Sequence, residues 1–592
     1  MNTSSKFFLA VIAVGVALTA ASIGALQLVG LFACGQTLGI SHPLAGLLVP
    51  LTGDLLIVTI PTDCTYPADT ARVACIVAIA LIAAALIAAT FIYSAYRQSD
   101  AFFIRDVKNR SGFANGWEIR KHMSAAAVLA RAPQLRPGLK TTAATDVGWR
   151  IGRARGQDVY ISIEDSVVVV GPPRMGKGYR VLISAIIDWA GPLVTTSTTN
   201  DNLTATLQMR RKRGQTWVFD PQGLSGVRDR ARISPIAGCE DPQVADQRGR
   251  AIVTGTALGS SSSNQEWAQA SGVVLARLLH AAAVSGGTVE DLYAWGSNPR
   301  MARAAVDILR SDGTPGWGDG LEAILAGDEK LLSSTWFGVQ GAVAPLAIPQ
   351  IRDTLTPARG DLTFDPHEFL EGEHSLYLVG SATGASAMGG FLAALLNDTV
   401  EVARTKALAS PGSRLQRPLG LILDEIVNMF RWAELPRIMA DGGGRGICAM
   451  VVLQALSQAE SGWSAAEAST IWSAGTAKIL LGGGSDVDDL RDIEALLGTR
   501  ELQRTQRSWS THQAGVSTSE QRERMAVLSA DEIRRLPESL GLLAYRNRRG
   551  VLLDLQGWTA RSDRADIIAG KSTTAAEQQA VFADRYARRR SQ

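Results

Sequence analysis

The sequence predicts an α/β protein: a mostly parallel sheet covered by helices, an all-α insertion within it, and two N-terminal membrane-spanning helices. Three observations predict this. Short apolar runs at 167–170, 192–198, 216–221, 375–381, 419–428, 447–458 and 477–484 alternate with helix-like stretches. That is the pattern of a sheet buried on both faces. Between about 240 and 348 strand signals give way to helical patterns such as NQEWAQASGVVLARLLHAAAVSG and TVEDLYAW. Finally, two long runs without a single charge lie in the first hundred residues.

The first apolar run covers 7–34 and the second 73–93. Each exceeds the ~20 residues needed to cross a ~30 Å hydrocarbon core. The first is also longer than the ~7–15-residue apolar centre of a secretory signal. Lys6 precedes the first run, and Arg97, Arg105, Lys108 and Arg110 follow the second, while 35–71 holds no Lys or Arg. The positive-inside rule therefore predicts a two-pass protein of the cytoplasmic membrane. Both termini are expected inside and residues 35–71 outside.

A chain of 592 residues, 46% hydrophobic and 19% charged, suggests about three or four structural units. Its net charge of +3 is too small to mark a nucleic-acid binder, so any such surface must be local. Two basic clusters, MRRKRG (209–214) and VRDRAR (227–232), could meet phosphates. The first reads better as neutralising a helix C-terminus. The five cysteines and six histidines are dispersed, with no C-x-x-C pair and no metal-ligand spacing. Cys34 and Cys64 could meet outside the membrane, but reduced cysteines are expected throughout.

The chemistry concentrates in two places. VVVV at 167–170 runs into Gly171, Pro172, Pro173, Arg174, Met175, Gly176, Lys177 and Gly178, followed by the helix-like YRVLISAIIDWA. Strand, glycine loop and helix are what a phosphate-binding P-loop requires. Backbone N–H groups and the helix N-terminus wrap the phosphates, and Lys177 neutralises them. The motif departs from G-x-x-x-x-G-K-[ST] at its last position, because Gly178 has no hydroxyl for Mg²⁺. The second place is LGLILDEIVN (419–428), a buried strand ending in Asp424 and Glu425. Asp424 is expected to hold Mg²⁺ and Glu425 to activate the attacking water of ATP hydrolysis. A neighbouring strand, ICAMVVLQALSQ (447–458), ends on Gln454, whose amide can sense the γ-phosphate. Asp220, closing TWVFDP, is either a second carboxylate or a turn residue.

These motifs, in this order behind two spans, resemble the type IV coupling proteins, the TraG/TraD-type conjugative DNA-transfer ATPases. TWVFDPQG, ELPRIMADGGGRG and LGGGSDVDDLRDIEALLG resemble that family too, particularly its actinobacterial members. The resemblance spans nearly the whole chain, most specifically 167–220 and 419–498, and Gly after the P-loop lysine is usual in it. It implies a RecA-like P-loop NTPase motor that binds ATP and Mg²⁺ and assembles as a homo-hexamer. Its partners would be single-stranded DNA bearing a relaxase, and the subunits of a type IV secretion channel. An arginine finger is implied near the turn before the glutamine strand. Some relatives carry Arg where this chain has Gly443, and Arg445 is the nearest substitute.

The expected division is a membrane anchor at 1–96, a connector at 97–160 and a first motor segment at 161–240. An all-α insertion follows at 241–348, then a second motor segment at 349–558 and a basic, disordered tail at 559–592. Within the second motor segment, the Gln/Ser/Thr-rich stretch at 502–521 reads as a mobile loop, and GLLAYRNRRGVLLDL as a hairpin turning at 546–550. Two other functions are compatible. A double-strand DNA translocase of the FtsK/SpoIIIE kind shares such motor motifs, although the residues after Trp558 are too few for its winged-helix domain. A coupling subunit for protein-only cargo is the other.

Overall fold

The computed structural model describes residues 3–40, 58–59, 65, 67–138, 143–260, 264–380, 385–509 and 516–591. It divides into two units, 1–110 and 111–592. Most of the loop at 35–71, including Cys64, lies outside the described residues.

The first unit contains two long helices, Thr3–Cys34 and Ala68–Gln98. Their apolar stretches, Ile12–Cys34 and Asp69–Gln98, are long enough to cross a membrane and are almost wholly unburied by protein. Side chains such as Phe32, Leu81, Phe91 and Ile92 face outward. That is the arrangement a lipid solvent favours and water penalises. Leu26, Ala71 and Cys75 pack the two helices together, along with Leu38. Beyond the first helix, Gln27 grips Leu38 through both ends of its amide, at 2.8 Å each, and a short pair, β1 (Gly39–Ile40) and β2 (Val58–Thr59), follows. Cys75, Cys239 and Cys448 are free, but Cys34 is disulfide-bonded. The expectation of reduced cysteines throughout fails at Cys34, because its helix ends where the chain turns back, which allows a thiol to be met.

The second unit is built on one eleven-stranded sheet, of order β4-β3-β15-β14-β11-β5-β10-β9-β6-β8-β7. Seven strands are parallel: β5 (Val167–Val170), β6 (Leu193–Ser197), β7 (Thr216–Phe219), β8 (Ser375–Val379), β9 (Leu419–Asp424), β10 (Ile447–Leu453) and β11 (Ala477–Leu481). Helices cover both faces, so a strand such as Val167–Val170 is buried along its whole length. That is why its sequence is a continuous apolar run and not an alternating one. β5 sits centrally, between β11 and β10. The carboxyl ends of the parallel strands lie on one edge, where open α/β sheets hold ligands.

Four antiparallel strands extend the sheet past β11. β14 (Leu540–Tyr545) and β15 (Val551–Asp554) form the hairpin expected there. β15 pairs with β3 (Gly148–Ala154), and β3 with β4 (Gln157–Ser162). The stretch read as a connector thus supplies two strands of the main sheet. The Gln/Ser/Thr-rich stretch read as a mobile loop instead joins an antiparallel ribbon, β12 (Thr499–Trp509) with β13 (Val516–Ala526), closed by main-chain pairing. Its tip, 510–515, lies outside the described residues.

Between β7 and β8 the regular elements among the described residues are helical, from Pro242–Thr254 to Pro366–Phe369. Arg248 anchors this layer, bonding Asp398 on the helix Ala385–Leu408 at 2.9 Å. The tail read as disordered is a helix, Arg564–Ser591. It lies on the helix Asp201–Arg211 through Gln208–Thr574 (3.2 Å) and Thr204–Gln578 (3.0 Å).

Candidate nucleotide-binding site

Four strand ends converge at the carboxyl edge of the sheet. β5 leads into the glycine loop, which turns through positive φ at Arg174 (67°) and Gly176 (75°). The chain then opens a helix with one π-helical turn, Gly178–Leu182, continued by Ile183–Asp188. Two left-handed residues so close to a helix start turn successive N–H groups towards one point, an anion-binding concavity. Pro172 and Met175 rest against Gly483, just past β11, while Pro173 and Arg174 stay exposed. Lys177 donates to the Gly171 carbonyl (2.8 Å), which folds its ammonium back over the loop. Burial pulls the Lys177 ammonium below its ordinary pKa, against the opposing pull of Asp424 and Glu425.

Asp424 closes β9. Burial, then the neighbouring Glu425, push its carboxyl up to about 6, opposed by Lys177 and by the amide of Asn202. Asn202 donates to Asp424 Oδ2 at 3.0 Å, while Asp424 Oδ1 is buried with no hydrogen-bond partner. A buried carboxylate oxygen without a partner costs free energy unless something cationic meets it. One lysine, one half-satisfied carboxylate and the loop's N–H groups fit a magnesium–nucleotide.

Glu425 takes φ +52°, a left-handed conformation rare outside glycine and costing about 1 kcal/mol or more. It aims the side chain away from the strand's continuation. Thr198 Oγ1 donates to Glu425 Oε2, and Gln454 Nε2 to Oε1 at 3.3 Å. Gln454 is fixed in turn, because its backbone N–H donates to Gln458 Oε1 (2.9 Å), whose amide reaches Asn428 (3.0 Å). Thr196 donates to the Asp424 carbonyl at 2.8 Å.

The structure therefore gathers Gly171–Gly178, Asp424, Glu425 and Gln454 on one edge. Arg445 is elsewhere. It ends the helix Leu435–Arg445, before β10 begins, and Gln454 follows β10's other end. Seven strand residues at ~3.3 Å each put about 20 Å between them. Gly443 is fixed by packing, since a Cβ there would lie 2.0 Å from the Glu164 carbonyl oxygen. Asp220 is a turn residue: it accepts from the N–H groups of Leu224 (2.8 Å) and Ser225 (2.7 Å).

Of the basic clusters, Arg210 is fully buried and bonds Ser375, Trp189, Gly191 and Glu373. Arg213 pairs with Glu373 at 2.7 Å. Arg232 pairs with Asp353 and Asp361, and Arg230 donates to the Asp220 carbonyl. Arg211, Arg228, Arg230 and Arg232 line a cleft of about 1210 Å³ on the β7 side, away from the loop.

Sequence reasoning missed Thr196, Thr198 and Asn202. The signal was present as VTTSTTNDN, a run of hydroxyls and amides at the end of a buried strand.

Two family models match the chain. One, described as type IV secretory system conjugative DNA transfer, covers 114–273. The other, the TraM recognition site of TraD and TraG, covers 418–538. Among curated proteins none matches. Solved structures of the bacterial conjugative coupling protein TrwB superpose with TM-score 0.53. The unbound form shares 19% identity over 72% of this chain and 91% of that one. The form bound to ADP and Mg²⁺ shares 18% over 72% and 91%, and that with a non-hydrolysable ATP analogue 18% over 72% and 92%. At that identity the likeness establishes the RecA-like fold.

Proposed function

Since this chain belongs to the type IV coupling proteins, we propose that it is their membrane-anchored ATPase motor, hydrolysing ATP to deliver relaxase-bound single-stranded DNA to a conjugation channel. One observation carries the catalytic part: Glu425 is held by Thr198 and Gln454 beside a buried, half-satisfied Asp424, within the field of Lys177. Lys177 leaves the Gly171 carbonyl for the β- and γ-phosphate oxygens. Arg174 and Gly176 hold the loop open to phosphate, and the N–H groups that follow cradle it. Asp424 holds Mg²⁺, which when bound neutralises charge developing on the phosphates. Glu425 accepts a proton from the attacking water, its two oxygens kept in place by Thr198 and Gln454. Gln454, in contact with Glu425, is placed to register the γ-phosphate. Arg445, at the opposite edge of the sheet, acts on a neighbour's site in a homo-hexameric ring.

The anchor is read as two spans of the cytoplasmic membrane with both termini inside. The basic flanks support this, and so does the bonded Cys34 at the far end of the first helix, since disulfides persist on the oxidising side.

Two variants test the site. Lys177→Ala should abolish nucleotide binding and turnover. Glu425→Gln should bind nucleotide normally while hydrolysis falls by about 10²-fold or more. Glu425→Gln protein that hydrolyses ATP at the wild-type rate sinks the assignment. Donor cells lacking the protein should also stop transferring their plasmid.

A further inference from the structure

Gly178 leaves the P-loop without the hydroxyl that ordinarily ligates the metal, yet the space beside it is filled. A Cβ on residue 178 would come within 2.9 Å of Asn202 Oδ1. Asn202 is 4% exposed and stands in the first turn of the helix Asp201–Arg211. Its Nδ2 donates to Asp424 Oδ2 at 3.0 Å. This bond sets which way the amide faces, because its oxygen would be repelled by a carboxylate. Nδ2 turns to Asp424, and Oδ1, the neutral acceptor, turns to the loop at Gly178. The helix is held firmly enough to make this a fixed position. Thr206 Oγ1 donates to the Asn202 carbonyl (2.7 Å) and meets the Tyr377 hydroxyl (2.9 Å), with Leu203 and Leu207 buried alongside.

We propose that Asn202 replaces the missing P-loop hydroxyl: it orients Asp424 through its N–H and offers its side-chain oxygen towards the metal position. On this account Gly178 and Asn202 are one coupled choice. A serine at 178 and an asparagine at 202 compete for the same space, and a functional site keeps one of them. The inference rests on the nucleotide-site reading above. It assigns the metal's second protein-side contact to a helix that carries none of the recognised motif.

The test measures how Mg²⁺ tightens a fluorescent ATP analogue on the detergent-solubilised full-length protein, with the metal-free affinity and the melting temperature recorded for every variant. Asn202→Ala should raise the Mg²⁺ midpoint about tenfold, the usual scale for losing a metal-supporting contact, and leave metal-free nucleotide affinity unchanged. Gly178→Ser alone should also raise it, by crowding Asn202. Gly178→Ser with Asn202→Ala should return the midpoint to within about threefold of wild type, a coupling that only residues sharing one task display. Should Asn202→Ala not fold, Asn202→Ser carries the same titration, since its side chain falls short of Asp424. An unchanged midpoint in the folded Asn202 variant overturns the proposal and leaves Asn202 a filler. A double variant no better than Asn202→Ala overturns the equivalence with the hydroxyl. Wild-type protein whose nucleotide binding ignores Mg²⁺ would instead overturn the nucleotide-site reading itself.

Discussion

At the scale of single residues, two kinds of constraint meet within a few ångströms. Lys177, Asp424, Glu425 and Gln454 were readable from the sequence because each stands at a fixed offset from a buried apolar strand. The strand announces itself and the offset names the residue. Thr198 and Asn202 were not, because they come from the strand and helix ends of VTTSTTNDN, which read equally well as an ordinary polar turn. Gly443 shows the other constraint, set by steric exclusion. A Cβ there would sit 2.0 Å from the Glu164 carbonyl oxygen, against backbone that cannot swing away. Gly443→Ala should therefore destabilise the protein by about 1–3 kcal/mol, read as a lower urea midpoint at unchanged slope. Equal stability of variant and wild type would mean that the helix before β10 shifts freely. An arginine at 443 carries the same steric cost against the Glu164 carbonyl.

Among elements, the buried parallel strands were the most legible and the polar elements the least. The helix Arg564–Ser591 buries Ile567, Thr574 and Gln578, a seam made mostly of small or polar side chains. Without an apolar period, the sequence of such a helix is indistinguishable from a charged tail. The ribbon of β12 and β13 is invisible for a related reason: main-chain pairing closes it, whatever its Gln, Ser and Thr side chains do. MRRKRG is the opposite case, a conspicuous signal with a structural use. Arg210 ties the helix Asp201–Arg211 to four groups around β8 and the turn before β6. Each carbonyl stranded by its removal costs about 1–3 kcal/mol. Arg210→Met should accordingly lose about 3 kcal/mol or more of stability by denaturant melt. The salt dependence of DNA binding should keep its slope. A slope reduced by about one would make Arg210 a phosphate contact after all.

At the scale of the whole molecule, the edge carrying Lys177 and Asp424 and the residue Arg445 lie at opposite ends of β10, so under the proposed function Arg445 serves a site on a second protomer. Arg445→Ala should retain nucleotide affinity and lose about 10³-fold in turnover, the scale of an arginine finger. Mixing it with Lys177→Ala protomers should restore part of the activity, because each supplies what the other lacks. Turnover unaffected by Arg445→Ala would remove it from the mechanism. For the anchor, Cys34 should resist a membrane-impermeant maleimide added to intact cells and react with it only after reduction. Labelling that requires lysis would invert the topology. The strand order has a further consequence for how the protein is made. β5 has β10 and β11 as its neighbours, and both are synthesised more than 270 residues after it (β10 starts at Ile447, β5 ends at Val170). The apolar helices leave the ribosome first and can enter the bilayer while the phosphate loop still hangs from an unpaired strand. A nascent chain stalled before Ile447 should thus be lodged in the membrane and inert to nucleotide, so that anchoring precedes completion of the sheet edge that carries Lys177 and Asp424.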